Sequence, residues 1–168
     1  MRLSDVAVFP GQQSVYVPVL VTHDVATQGF TVAAVFDPAV VKLREVVFED
    51  SNLNGIDPEL FAVTISDDPV EPFVTAGILF DVVDPFDGRV FPPGVNHRIA
   101  NLILDVSPAA RPGSVTRIEL KNQVGRPPLN NIFTVNGRTL LPALGEGGAI
   151  HIRRLHFPPP RFFRRGDS

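Results

Sequence analysis

The sequence contains no cysteine and no tryptophan, and only one methionine and one tyrosine. Without cysteine there can be no disulfide, no thiolate metal site and no cysteine nucleophile, and the redox compartment is left open. No apolar run approaches the roughly 20 residues of a membrane-crossing helix, so no membrane insertion is expected. Charge of either sign is scarce in net terms: 18 acidic against 15 basic side chains give a formal charge of -3. Such a balance creates no field that would draw the chain to nucleic acid or to an anionic bilayer. Met1-Arg2-Leu3 runs directly into strand-like sequence with none of the anatomy of a signal peptide, so the signal of a secreted parent would lie outside these residues.

Sustained helical spacing is lacking as well, since no window keeps apolar residues at i, i+3, i+4 and i+7 beyond a turn or two. What is present is enough apolar material for one core, 44% of 168 residues. Seventeen prolines and thirteen glycines are spread along the chain. They punctuate short segments and favour an all-β architecture.

The first clear segment is Val15, Val17, Val19 and Val21 alternating with Ser14, Tyr16, Pro18, Leu20 and Thr22, a period-2 strand that Pro18 places near a sheet edge. Residues 2–8 before it form a first strand, ended by the Pro10-Gly11 turn. Phe30, Val32, Ala34 and Phe36 then share one face until Asp37-Pro38, where Asp37 caps a single turn over 39–41. Strands follow at 43–48 and around Phe61, Val63 and Ile65. Residues 73–83 are the longest strand candidate, and 84–94 a loop. Residues 98–106 carry Ala100, Leu102, Leu104 and Val106 inward, and shorter strands lie at 115–120, 132–135, 139–141 and 149–152. Asn136-Gly137 is a strong two-residue hairpin signal. Nine or ten short strands at this spacing suit a sandwich.

The order of Pro10-Gly11, the alternating valines, Gln28-Gly29-Phe30 and Phe36-Asp37-Pro38-Ala39-Val40-Val41 resembles bacterial cohesin domains. Ile99-Ala100-Asn101-Leu102-Ile103-Leu104-Asp105-Val106 is similar to the family's late strand, and Gly147-Gly148-Ala149-Ile150 to its closing strand. The resemblance covers roughly residues 5–152. It implies a nine-stranded jelly-roll β-sandwich over residues 1–155, acting in non-catalytic recognition within a secreted or cell-surface multimodular protein.

Residues 156–168 are a Pro/Arg-rich linker, with Pro158-Pro159-Pro160 as a semi-rigid spacer. Phe163-Arg164-Arg165-Gly166-Asp167-Ser168 resembles the run-in to a dockerin, whose calcium loop opens on an Asp. The arginines and phenylalanines of 153–165 read as solvated linker, not as a nucleic-acid surface, and Arg165-Gly166-Asp167 as a chance match to an adhesion tripeptide.

Signals for chemistry are few. Asp50, Asn52 and Asn54 with Gly55 match the first half of a calcium loop, but Pro58 and Phe61 occupy its ninth and twelfth positions, so they form only a weak calcium candidate and no other cofactor is expected. His23, His97, His151 and His156 lack paired metal spacing. Asp67, Asp68, Asp81, Asp84 and Asp87 sit in or beside turns. No nucleophile elbow, phosphate loop or zinc-protease helix is present, and no enzyme is expected.

Cohesins commonly bind dockerins through one flat sheet face. The resemblance places strands 29–36, 73–83 and 98–106 together in that sheet. Parity then gives the partner-binding face as Thr31, Ala33, Val35, Thr75, Leu79, Asp81, Ile99, Asn101 and Ile103, an apolar patch with an acidic edge. A loop over 84–94 or the C-terminal tail would be its alternative cover. Two rival readings use the same fold: a carbohydrate-binding module, for which the single Tyr16 and absent tryptophan leave little to stack on sugar, and a structural spacer or surface-assembly subunit.

Overall fold

The valine alternation becomes β3 (Val15–His23), whose odd-numbered residues are all buried. The computed structural model describes residues 1–53, 55–56, 58–82 and 87–154, and among these no helix forms. Its thirteen strands are β1 (Arg2–Leu3), β2 (Val6–Val8), β3, β4 (Gly29–Val35), β5 (Val41–Val47), β6 (Leu60–Ser66), β7 (Phe73–Leu79), β8 (Gly94–Val106), β9 (Val115–Arg117), β10 (Glu119–Leu120), β11 (Ile132–Val135), β12 (Arg138–Leu140) and β13 (Ala149–Ile152). The linker and the dockerin-like run-in at 156–168 lie outside the described residues.

One layer has the order β1-β3-β8-β5, with a three-stranded sheet β2-β13-β9 beside it. The other has the order β12-β11-β4-β7-β6, and β10 also pairs with β4. Between them lie Phe30, Phe80, Phe91, Ile78, Leu102, Leu104, Ile118 and Ile150, all at most 1% exposed. Full burial of such side chains contributes about 1.5–3 kcal/mol each. Phe30 meets Phe80, Phe91 and Phe133 edge-on at 5.5–5.9 Å between ring centroids. His23 of β3 stacks on Phe91 at 5.4 Å and donates Nδ1–H to the Val25 carbonyl at 2.7 Å.

The expected all-β sandwich is present, with thirteen strands instead of nine; two of the expected strands are split and a third is cut short. The first splits between the sheets, as β1 pairs β3 while β2 runs parallel to β13. The segment 115–120 splits at buried Ile118, β9 joining β13 and β10 joining β4. A 122–131 excursion then separates β10 from β11. The strand expected over 73–83 stops at Leu79, and the longest is β8. Pro18 is second in its layer, yet its carbonyl accepts Ser4 N–H at 3.0 Å where two-residue β1 gives out, so its missing N–H interrupts no bond to β8.

The local signals hold. Asp37 Oδ1 accepts Ala39 N–H at 2.9 Å. Asn136 and Gly137 have φ of 49° and 68°, the two positive values of a type I′ turn, and Val135 faces Arg138 across them.

Candidate functional site

The strand β7 buries Val74, Ala76 and Ile78, which turns Phe73, Thr75, Gly77 and Leu79 outward. Register carries that face sideways in rows. Leu60, Leu79, Gly29 and Thr134 form one; Ala62, Gly77, Thr31 and Ile132 the next; Thr64, Thr75 and Ala33 a third. None of these residues is ionisable. A Cβ on Gly77 would meet nothing within 4 Å, so the middle of the face is open and low. Gly29 is different: a Cβ there would stand 2.3 Å from the Ile78 carbonyl oxygen and 2.4 Å from Leu79 Cδ2, so the Leu79 side chain lies across it.

Asn131 completes the third row. Fully buried, it accepts Ala33 N–H at 2.8 Å and donates to the Ala33 and Lys121 carbonyls at 3.0 and 3.1 Å. Its side-chain amide thus supplies the rung of ladder missing between β10 and β11. The excursion that ends on it packs against a fourth row, Ser66, Phe73 and Val35. The Cβ direction of Gly125 meets the Phe73 ring at 3.3 Å, and Arg126 pairs with Glu71 at 3.2 Å. Val35, Phe73, Gln123 and Val124 line a cleft there. The chain's own excursion therefore covers one end of the face, leaving Leu60, Ala62, Leu79, Gly77, Thr31, Ile132 and Thr134 as the open end.

Of the residues expected on the partner-binding face, Thr31, Ala33, Val35, Thr75 and Leu79 do share this surface, Ala33 and Thr75 as buried members. Asp81 lies past the end of β7, where its carboxylate accepts the N–H groups of Asp87 and Gly88 at 3.1 and 2.7 Å and holds its own loop. Ile99, Asn101 and Ile103 are not on the face, because β8 pairs with β3 and β5 in the opposite layer. A bulge there sets Val19 against Ala100 and Leu20 against Arg98, which leaves Ile99 unpaired with β3 and part of the core. Asn101 is buried and donates to the Glu49 carbonyl at 2.6 Å. Ile103 is turned to the outer side of that layer, beside Tyr16 and Glu45, but is buried there, only 5% exposed. The sequence reading missed Leu60, Ala62, Ile132 and Thr134. Their strands were legible by alternation, but alternation does not say which strands are neighbours.

In the half-matched calcium loop the described residues 50–53 form a turn. Asn52 Oδ1 accepts Arg98 N–H at 2.7 Å, and the Asp50 carbonyl accepts from the Arg98 guanidinium at 3.3 Å. Asn54 is outside the described residues. Among the described residues no three His, Cys, Asp or Glu side chains are grouped to hold a metal ion.

No protein-family model matches the sequence, and no curated protein sequence does. Solved structures do match. The sixth cohesin of scaffoldin B from Acetivibrio cellulolyticus, crystallised with a Cel5 dockerin mutant, is 15% identical at a TM-score of 0.65, covering 90% of this chain and 96% of that one. CaCohA2 from Clostridium acetobutylicum is 18% identical at a TM-score of 0.66, with 90% of each chain covered. The OlpA cohesin from Clostridium thermocellum, in complex with a dockerin, is 16% identical at 0.64, covering 89% and 95%. Likeness at this identity is a likeness of architecture, and it extends over nearly the whole of each cohesin: this chain has the cohesin fold.

Proposed function

We propose that the chain is a non-catalytic recognition module that binds a dockerin-like protein partner through the outward face of β6, β7, β4 and β11. The observation that carries this is the open end of that face: two rows of side chains without one ionisable group, level at Gly77 and raised at Leu79. A solvated sheet face is ordinarily polar, and an uncharged one suits a protein partner. Structural neighbours are recorded in complex with dockerins, which supports the choice of partner. Polysaccharide is the weaker reading, since the open end presents no row of aromatic rings. The proposal assigns no cofactor to this chain and places its parent at the cell surface or outside the cell.

Calorimetric titration of a panel of dockerin modules tests it. Binding that falls by about 30-fold or more in Leu79→Asp, as for a central interface residue, supports the assignment. Absence of binding across the panel, or equal affinity in the variant, overturns it.

A further inference from the structure

The strand β6 ends its sheet, pairing among the described residues only with β7. An unpaired edge is a template for another strand, and sheets usually blunt theirs by shortness, charge, proline or a bulge. The other strands that end a sheet order here follow that rule. β1 has two residues, and β2, β9 and β12 have three each. β5 is longer but carries Lys42, Arg44 and Glu45 and a register shift between Leu43 and Glu45. β6 has none of these devices. Its seven residues, Leu-Phe-Ala-Val-Thr-Ile-Ser, are uncharged, lack proline and pair with β7 without a break.

Its side chains are also unfinished. Phe61 and Val63 point toward the interior, yet remain 40% and 36% exposed, and Leu60 on the other side is 44% exposed. Phe61 rests on Phe48 at 4.2 Å between centroids, with the opposite layer ending at β5. A strand laid beside β6 would therefore gain both a hydrogen-bonding edge and cover for an inward apolar row.

We propose that this edge pairs antiparallel with β6 of a second copy of the chain about a two-fold axis at Val63. In that register Val63 meets Val63 of the second copy, Phe61 meets Ile65 and Ala62 meets Thr64, so each inward apolar side chain faces another. At the ends Glu59 would lie opposite Asp67, a like-charge pair whose repulsion is offset because each acid already has a cation, Arg89 for Glu59 and Lys42 at 3.9 Å for Asp67. The partner-binding faces of the two copies would then continue side by side in one sheet. A strand pair about 24 Å long is a small interface, so the association is concentration-dependent and weak.

Sedimentation velocity of the full chain between about 10 μM and 1 mM provides the first reading. A monomer–dimer equilibrium that weakens at least tenfold in Val63→Lys is expected, with circular dichroism confirming that the variant folds. The absence of native cysteine allows a second test that needs no disruptive charge. Val63→Cys is expected to form a disulfide-linked dimer under mild oxidation far faster than Val70→Cys, whose site is 91% exposed but beyond the strand. A monomer throughout the range, cross-linking no faster at 63 than at 70, or an association that Val63→Lys leaves unchanged overturns the proposal. None of these readings involves a dockerin, so their failure is separate from failure of the proposed function.

Discussion

The Leu79 side chain lies over Gly29 on the neighbouring strand, its Cδ2 2.4 Å from where a Cβ on that glycine would stand. Only a residue without a side chain lets this apolar group of the open face rest there. Gly29 thus shapes the candidate site without touching a partner.

Gly29→Ala is accordingly expected to do two things. The new methyl would fall 2.3 Å from the Ile78 carbonyl oxygen, a backbone atom that cannot swing away, at a cost of about 1–3 kcal/mol in stability. It would also displace Leu79. Thermal denaturation measures the first effect, and partner titration of the folded variant the second. Full stability and unchanged affinity would show that the two strands part easily.

Asn131 gives a sharper stability test. Its amide satisfies both backbone groups of Ala33 in a fully buried setting. Asn131→Ala leaves the Ala33 N–H without a partner, while the Ala33 carbonyl keeps Lys121 N–H at 3.0 Å, and about 1–3 kcal/mol of destabilisation is expected by denaturant titration. Asn131→Asp keeps an acceptor for the Ala33 N–H but sets an anion against the Ala33 carbonyl, so it should rescue little. A loss under about 0.5 kcal/mol for the alanine variant would mean that the ladder closes without the amide.

Much of this fold was legible because its signals are local. Valine alternation marked β3, Asp37 marked its turn, and Asn136-Gly137 fixed a hairpin through two positive φ angles. What failed was lateral order. Residues 98–106 alternate as any half-buried strand does, and nothing in that pattern says that β8 pairs with β3 and β5 instead of β4 and β7. Ile99 was misread for a further reason, since a bulge adds one residue and breaks the parity on which outward assignment rests. The excursion over Phe73 was illegible for want of any local pattern, because its closure depends on Asn131 reaching Ala33, 98 residues away.

Asp105 sets an acid limit on the β3–β8–β5 layer. Its carboxylate accepts Ser14 N–H at 3.0 Å and pairs with Arg44, whose Nε lies 2.7 Å away. The Ser14 hydrogen bond first, then that of Arg44, holds the carboxyl below its ordinary value. A carboxyl lowered by folding contributes stability that is complete above the unfolded-state value, near pH 4, and is lost as pH falls through the lower folded value. Asp105→Asn should therefore be less stable than wild type at pH 6, by under about 1 kcal/mol for so superficial a pair. The two stability curves should converge as pH drops below about 4. A difference that stays constant from pH 6 to pH 2 would assign the effect to packing and not to charge.

The two layers present two outer surfaces, and only one is expected to bind. Thr31 stands in the middle row of the open face, where Thr31→Arg would raise a charged side chain beside Gly77 and bury it against a partner. Tyr16, 44% exposed, lies on the opposite layer's outer surface next to Ile103, where Tyr16→Asp costs little to folding. If recognition belongs to β4, β7 and β6, the arginine variant should lose at least tenfold in affinity, about 1.4 kcal/mol, while the tyrosine variant binds as wild type. The reverse pattern would move the binding surface to the outer side of β3 and β8. Surface plasmon resonance with one immobilised dockerin distinguishes the two outcomes, because both variants keep the same core and differ only in which face they disturb.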